Sequence, residues 1–142
     1  MIKLKNKGFT LVEIMIVVSI VITLAVLAIP NILRSRIAAN DAAAMSNLKV
    51  VANACQSYHI NQGNYPQNLS ELSKAEPPYI DSVLAAGTKQ GYEFIYTPSE
   101  VGFSIAADPV GALKGRYFYI DEAGVMRARS EGKAGPDDPA VE

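Results

Sequence analysis

The chain has 142 residues, 49% hydrophobic and 19% charged, with net charge −1, one cysteine and no tryptophan. That near-neutral total conceals an uneven layout: +3 from Lys3, Lys5 and Lys7, one charge across residues 9–33, and −3 over residues 34–142. A basic tip, an apolar rod and a mildly acidic body argue against a fully soluble enzyme and describe a membrane-anchored protein. One cysteine excludes an intramolecular disulfide, no Cys/His cluster has zinc-ligand spacing, and the body lacks the basic footprint of a nucleic-acid binder.

Residues 9–29, FTLVEIMIVVSIVITLAVLAI, contain only four polar members: Thr10, Glu13, Ser19 and Thr23. As a helix this run extends about 31 Å, enough to cross a hydrocarbon core of roughly 30 Å. The three preceding lysines orient the N-terminus to the cytoplasm and the body outward, with Arg34 and Arg36 beyond the run weighing slightly the other way. A cleaved secretory signal has a shorter apolar core than this, so a retained helix is expected. Glu13 is the anomaly, because a carboxylate at the bilayer centre costs about 2.5–3.5 kcal/mol. An ammonium group at Phe9, created by a cut after Gly8, would lie on the same helical face at i, i+4 spacing and offset that cost. The same two charges are also placed to pair between neighbouring subunits. A staggered head-to-tail arrangement of that kind generates an open helical filament.

Lys7-Gly8-Phe9-Thr10-Leu11-Val12-Glu13 resembles the processing site of prepilins, the type IV pilin and pseudopilin superfamily. The resemblance implies a leader peptide over residues 1–8, cleavage between Gly8 and Phe9, N-methylation of Phe9, and an assembly role for Glu13. It also matches Pro30 to the proline that kinks or melts the family's long helix. Implied partners are other copies of the chain, a prepilin peptidase/methyltransferase, an inner-membrane assembly platform, minor pilins, and the membrane before assembly. Some pseudopilins that this chain resembles bind calcium near the C-terminus, but the residues of this chain point to no cofactor, metal, nucleic acid or enzymatic activity. The location implied is a single-pass inner-membrane protein, N-terminus inside, that moves to a surface pilus, or to a periplasmic filament in the case of a type II secretion pseudopilin. A signal-anchored periplasmic module that never polymerises is the reading of a different class.

Beyond the membrane or filament-core helix of residues 9–33, Leu33, Ile37, Ala44, Leu48, Val51, Cys55 and Tyr58 recur at three- and four-residue steps. Arg34, Asn40, Asp41 and Lys49 fall off that stripe. Gly63 and Pro66 end the pattern, and Pro30 predicts a bend or local melting. Asn64-Tyr65-Pro66 resembles the Tyr-Pro segment that follows the long helix in many family members, and a short helix is expected from about 68 to 73. Alternation then predicts strands around 92–97, 103–107, 116–120 and 124–129, with a hairpin at Asp121-Glu122-Ala123-Gly124. The expected fold is α+β and pilin-like: a long N-terminal helix packed on a four-stranded antiparallel meander, the head spanning residues 34–129. Residues 130–142 hold two prolines, two glycines and four acids, and read as a flexible acidic tail.

Other residues with chemical potential have plainer readings. Cys55 lies on the apolar stripe and reads as a buried structural thiol. His59, the only histidine, has no neighbouring acid or nucleophile and reads as a helix-end polar contact. Asp121-Glu122 and Asp137-Asp138 do not match a calcium-loop spacing and read as solvated turn and tail charges. Asn68-Leu69-Ser70 fits a glycosylation sequon but equally a helix cap.

Overall fold

In the computed structural model, residues 8–112 and 115–141 are described. The expected leader therefore lies outside the described residues except for Gly8. The chain divides into two units between Ser35 and Arg36. One helix, α1 (Leu11–Gln62), spans that division. It is continuous through Pro30, so the expected melting is absent. Proline removes only its own N–H bond, and the turns on either side sustain the helix around the gap.

In the first unit, the large apolar side chains from Phe9 to Ile32 are 49% to 84% exposed. The polar residues among them are disguised. Ser19 Oγ donates to the Met15 carbonyl at 2.7 Å and Thr23 Oγ1 to the Ser19 carbonyl at 2.8 Å. These i−4 bonds satisfy the hydroxyls within the helix, leaving an apolar surface suited to lipid or to other helices.

The second unit is built on the far half of α1. Gly63 ends the helix with φ of +79°, its N–H bonded to the His59 carbonyl at 2.8 Å. Helix α2 (Leu69–Lys74) follows, capped by Asn68, whose Oδ1 accepts from the Glu71 N–H at 3.2 Å. Helix α3 (Ser82–Ala85) is capped by Asp81 in the same way. Strands β1 (Thr88–Lys89), β2 (Tyr92–Pro98), β3 (Phe103–Pro109), β4 (Tyr117–Asp121) and β5 (Met126–Arg129) form one antiparallel sheet in sequential order. The four expected strands are present, and β1 is a two-residue addition at the edge, too short to show alternation.

Period-two burial decides which face covers the helix. Tyr92 and Phe94 of β2, Phe103, Ile105 and Ala107 of β3, and Phe118 and Ile120 of β4 point inward. They meet Ala44, Leu48, Val51, Ala52 and Cys55 of α1, with Leu69, Leu72 and Leu84 closing the end. Each large apolar side chain so buried contributes about 1.5–3 kcal/mol relative to exposure. The strongly apolar N-terminal half and the amphipathic second half of α1 thus serve different surroundings.

The C-terminal segment departs from its expected behaviour. Instead of a mobile tail, residues 130–141 loop back along β5. The Ala128 N–H donates to the Pro139 carbonyl at 3.2 Å, and the Val141 N–H to the Met126 carbonyl at 2.8 Å. Ala134 is buried, and Val141 packs against the core. Composition did not reveal this because the segment supplies backbone bonds to an edge strand rather than a core of its own.

Candidate functional site: the helix N-terminus and its head anchor

The described residues around the expected cut begin with Gly8 and Phe9, both exposed and preceding the helix. Thr10 is the N-cap. Its N–H and its hydroxyl both donate to Glu13 Oε2, at 2.8 and 2.9 Å, and the Glu13 N–H donates back to Thr10 Oγ1 at 3.2 Å. This reciprocal arrangement is a capping box, which satisfies two of the four N–H groups a helix start leaves unpaired. A carboxylate in the first turn also sits at the positive end of the helix dipole. Glu13 therefore has local partners at the start of the apolar segment, and its charge stands where a neighbouring cation could reach it. Thr10 was missed as a site residue in the sequence, although its Thr-x-x-Glu spacing is a capping-box signature.

A second polar cluster lies in the head. Asp41 is 7% exposed, contrary to its reading as an off-stripe polar residue. The Tyr92 hydroxyl donates to Asp41 Oδ1 at 2.7 Å and lies 2.8 Å from the Arg116 carbonyl oxygen. Arg116 Nε stands 3.4 Å from Asp41 Oδ2, and its guanidinium lies over the Phe118 ring at 5.3 Å. Gly115 completes the packing, since a Cβ there would run into Asp41 Oδ1 and the Tyr92 hydroxyl. Burial and the adjacent carboxylate hold the Tyr92 phenol far above its ordinary titration range. This cluster ties α1 to β2 and to the chain entering β4. It is an anchor rather than a reaction centre.

The remaining candidates resolve into structural roles. Cys55 is buried, and burial pushes its thiol up to about 12. His59 stacks on Tyr65 with ring centres 4.2 Å apart, while its Nδ1 has no hydrogen-bond partner among the described residues. The expected polar contact is thus replaced by an aromatic one. Asp121 Oδ1 accepts from the Ala123 N–H at 3.1 Å within the β4–β5 turn, and Asp138 Oδ2 accepts from the Gly135 N–H at 2.8 Å. Those acids are built into turns rather than merely solvated. Among the described residues, no group of three His, Cys, Asp or Glu side chains is arranged to hold a metal ion.

The described residues thus open with Gly8-Phe9, a capped glutamate and an exposed apolar helix, and the second unit is an α+β head. Residues 3–29 match the prokaryotic N-terminal methylation motif. The chain is 35% identical over 89 residues to the type II secretion system core protein G of Escherichia coli (strain K12), covering 62% of this chain and 61% of that protein. It is 32% identical over 109 residues to the type IV major pilin protein PilA of Myxococcus xanthus (strain DK1622), covering 76% and 46%. With the type IV wide pilus major component PilA4 of Thermus thermophilus it shares 33% identity over 101 residues, covering 71% and 64%. The chain thus spans less than two thirds of the length of each of these relatives. No solved structure gives a significant match. The chain belongs to the type IV pilin and pseudopilin superfamily, a family of structural proteins rather than enzymes.

Proposed function

We propose that this protein is a structural subunit of a type IV pilus, stored in the inner membrane and polymerised after removal of residues 1–8. The observation that carries this reading is Glu13, the one charge in the exposed apolar stretch of residues 9–33, one turn beyond Gly8-Phe9. A prepilin peptidase/methyltransferase cuts after Gly8 and methylates the new amino group of Phe9. The group keeps its positive charge, so it remains a partner for Glu13 of an adjacent copy. An assembly platform lifts the subunit, contacts with lipid being exchanged for contacts between apolar helices. Pro30, which lacks one helical N–H bond, is the place where α1 yields if assembly requires a bend. Minor pilins are the expected accessory subunits.

The 35% identity to a type II secretion core protein supports a second reading, a pseudopilin in a periplasmic filament. Intact mass of the membrane-extracted protein tests the shared part: loss of residues 1–8 with gain of one methyl group is expected, and an unprocessed N-terminus refutes it. Imaging cells with and without the gene product separates the two. Surface filaments that vanish on deletion support the pilus, whereas a secretion defect without surface filaments supports the pseudopilin.

A further inference from the structure

The head bears two exposed features that the N-terminal helix does not use. One is the tip of the β2–β3 hairpin, Ser99-Glu100-Val101-Gly102, closed by the Ser99 N–H donating to the Gly102 carbonyl at 3.0 Å. Val101 is 84% exposed there. Turn tips favour Gly, Asn, Asp and Ser, and a β-branched apolar side chain gains nothing from solvent at such a position. Glu100 beside it is also exposed.

The other feature is a groove of about 340 Å³ where α1 faces the β5 edge. Met45, Met126 and Val141 supply its apolar surface, Ala42 and Ser46 leave it open, and Lys49 supplies a positive charge. Methionine-lined surfaces adapt to an inserted side chain because the thioether is flexible and polarizable.

Strand β2 runs from beside Asp41, the neighbour of the groove residue Ala42, toward the hairpin tip. Its first residue, Tyr92, bonds to Asp41, while Tyr96 reaches the Pro66 carbonyl beyond the end of α1. The hairpin tip lies further along still; the helix side of the groove, Ala42 to Lys49, sits near the Asp41 end, while its Met126 side pairs through Ile120 and Ile105 in register with Tyr96. Met45 and Gln62 alone are separated by roughly 25 Å of helix. Val101 is 84% exposed, so a chain does not seat its own Val101 in its own groove, and the groove is left for a second copy. An apolar knob flanked by an acid matches an apolar groove flanked by a lysine. Two different patches on one molecule that fit each other form a heterologous contact, which propagates into an open chain.

We propose that the Glu100-Val101 tip of one copy docks into the Met45–Met126–Val141 groove of the next, with Glu100 facing Lys49. The occupant is a second copy of this chain, so the contact rests on the filament reading and supplies a head-to-head component to it. The test uses full-length chain carrying Ser46→Cys and Val101→Cys, oxidised both in membranes and in sheared filaments, with Cys55 left in place because it is buried. The expected result is a disulfide ladder extending beyond dimers from the double variant, and none from either single variant. Adding Lys49→Glu lowers the ladder severalfold, and combining it with Glu100→Lys restores it. Processed filaments that give no ladder overturn the docking and leave the filament reading standing. A dimer from Ser46→Cys alone signals face-to-face pairing and also overturns it. If no filaments form, the membrane fraction still decides: 46–101 cross-links support the contact, and their absence refutes it.

Discussion

The Tyr92 hydroxyl lies 2.7 Å from Asp41 Oδ1, joining the first residue of β2 to a helix residue 51 positions earlier in the chain. Both groups are withdrawn from water, and Tyr92 is the hydrogen-bond donor to Asp41 Oδ1, while Arg116 serves Oδ2. Leaving a buried acceptor unpaired costs about 1–3 kcal/mol, more when it is charged. Tyr92→Phe is therefore expected to lower head stability by at least that amount, read as a shift in the denaturant midpoint with an unchanged slope. Gly115→Ala tests the same anchor from the other side, because its Cβ would displace the pair. Wild-type stability in both variants would show that the anchor is dispensable.

The same burial sets a pH dependence. The phenols of Tyr92 and Tyr96 are held above their ordinary value of 10.0, and the Cys55 thiol above its ordinary 9.0, mainly by desolvation. For a proton held more tightly in the folded chain, the stabilising contribution is complete below the unfolded value. It is lost as pH rises past that value, because the unfolded chain releases protons that the folded chain retains. Stability should stay flat on account of these groups to about pH 8.5, then fall by up to about 1.4 kcal/mol per pH unit for each group fully ionised only when unfolded. Thermal melts from pH 7 to 11 check the sign. A melting temperature that rises through that window contradicts the burial of these groups.

Cys55 also makes a chemical prediction. Only the thiolate attacks an alkylating reagent, and a thiol raised to about 12 is almost wholly protonated at pH 8. The folded protein should resist iodoacetamide, and denaturant should release one reactive thiol per chain. Rapid labelling of native protein would place Cys55 outside the core.

These buried groups also explain what the sequence disclosed. The stripe through Ala44, Leu48, Val51 and Cys55 and the alternation through Tyr92, Phe94, Ile105 and Phe118 follow from local spacing, so helix, sheet and core were readable. Asp41 was not, because its burial depends on Tyr92 and Arg116, partners 51 and 75 residues away. Residues 130–141 escaped for a related reason: their order comes from main-chain bonds to β5, which composition does not encode. At the N-terminus the Gly8-Phe9-Glu13 spacing was legible, while the self-capping by Thr10 required noticing a second function of the same glutamate.

The C-terminal segment yields a stability prediction of its own. Deleting residues 130–142 removes the Pro139 and Val141 bonds to β5, the Arg127 bond to the Asp138 carbonyl, and the burial of Ala134. Lost apolar burial alone amounts to about 1–3 kcal/mol, and an uncovered edge strand is a template for association with other chains. The truncated protein should melt earlier and aggregate sooner on heating, followed by light scattering. An unchanged melt would mean that the segment contributes little beyond covering solvent-exposed backbone.

Glu13 has two separable duties, capping its own helix and presenting a negative charge, and two substitutions divide them. Glu13→Gln retains an oxygen able to accept from the Thr10 N–H, so the cap survives while the charge is lost. Glu13→Ala removes both. If assembly depends on attraction to the ammonium group of a neighbouring copy, both variants should insert and be processed normally, and both should lose filament yield by about tenfold or more, the equivalent of about 1.4 kcal/mol. Thr10→Val weakens the cap by about 0.5–2 kcal/mol but leaves the charge, and should reduce yield less than either. Filament mass in the sheared fraction, normalised to processed subunit in the membrane, measures all three. Full assembly by Glu13→Gln with failure of Thr10→Val would reverse the assignment and make the cap, not the charge, the determinant of polymerisation.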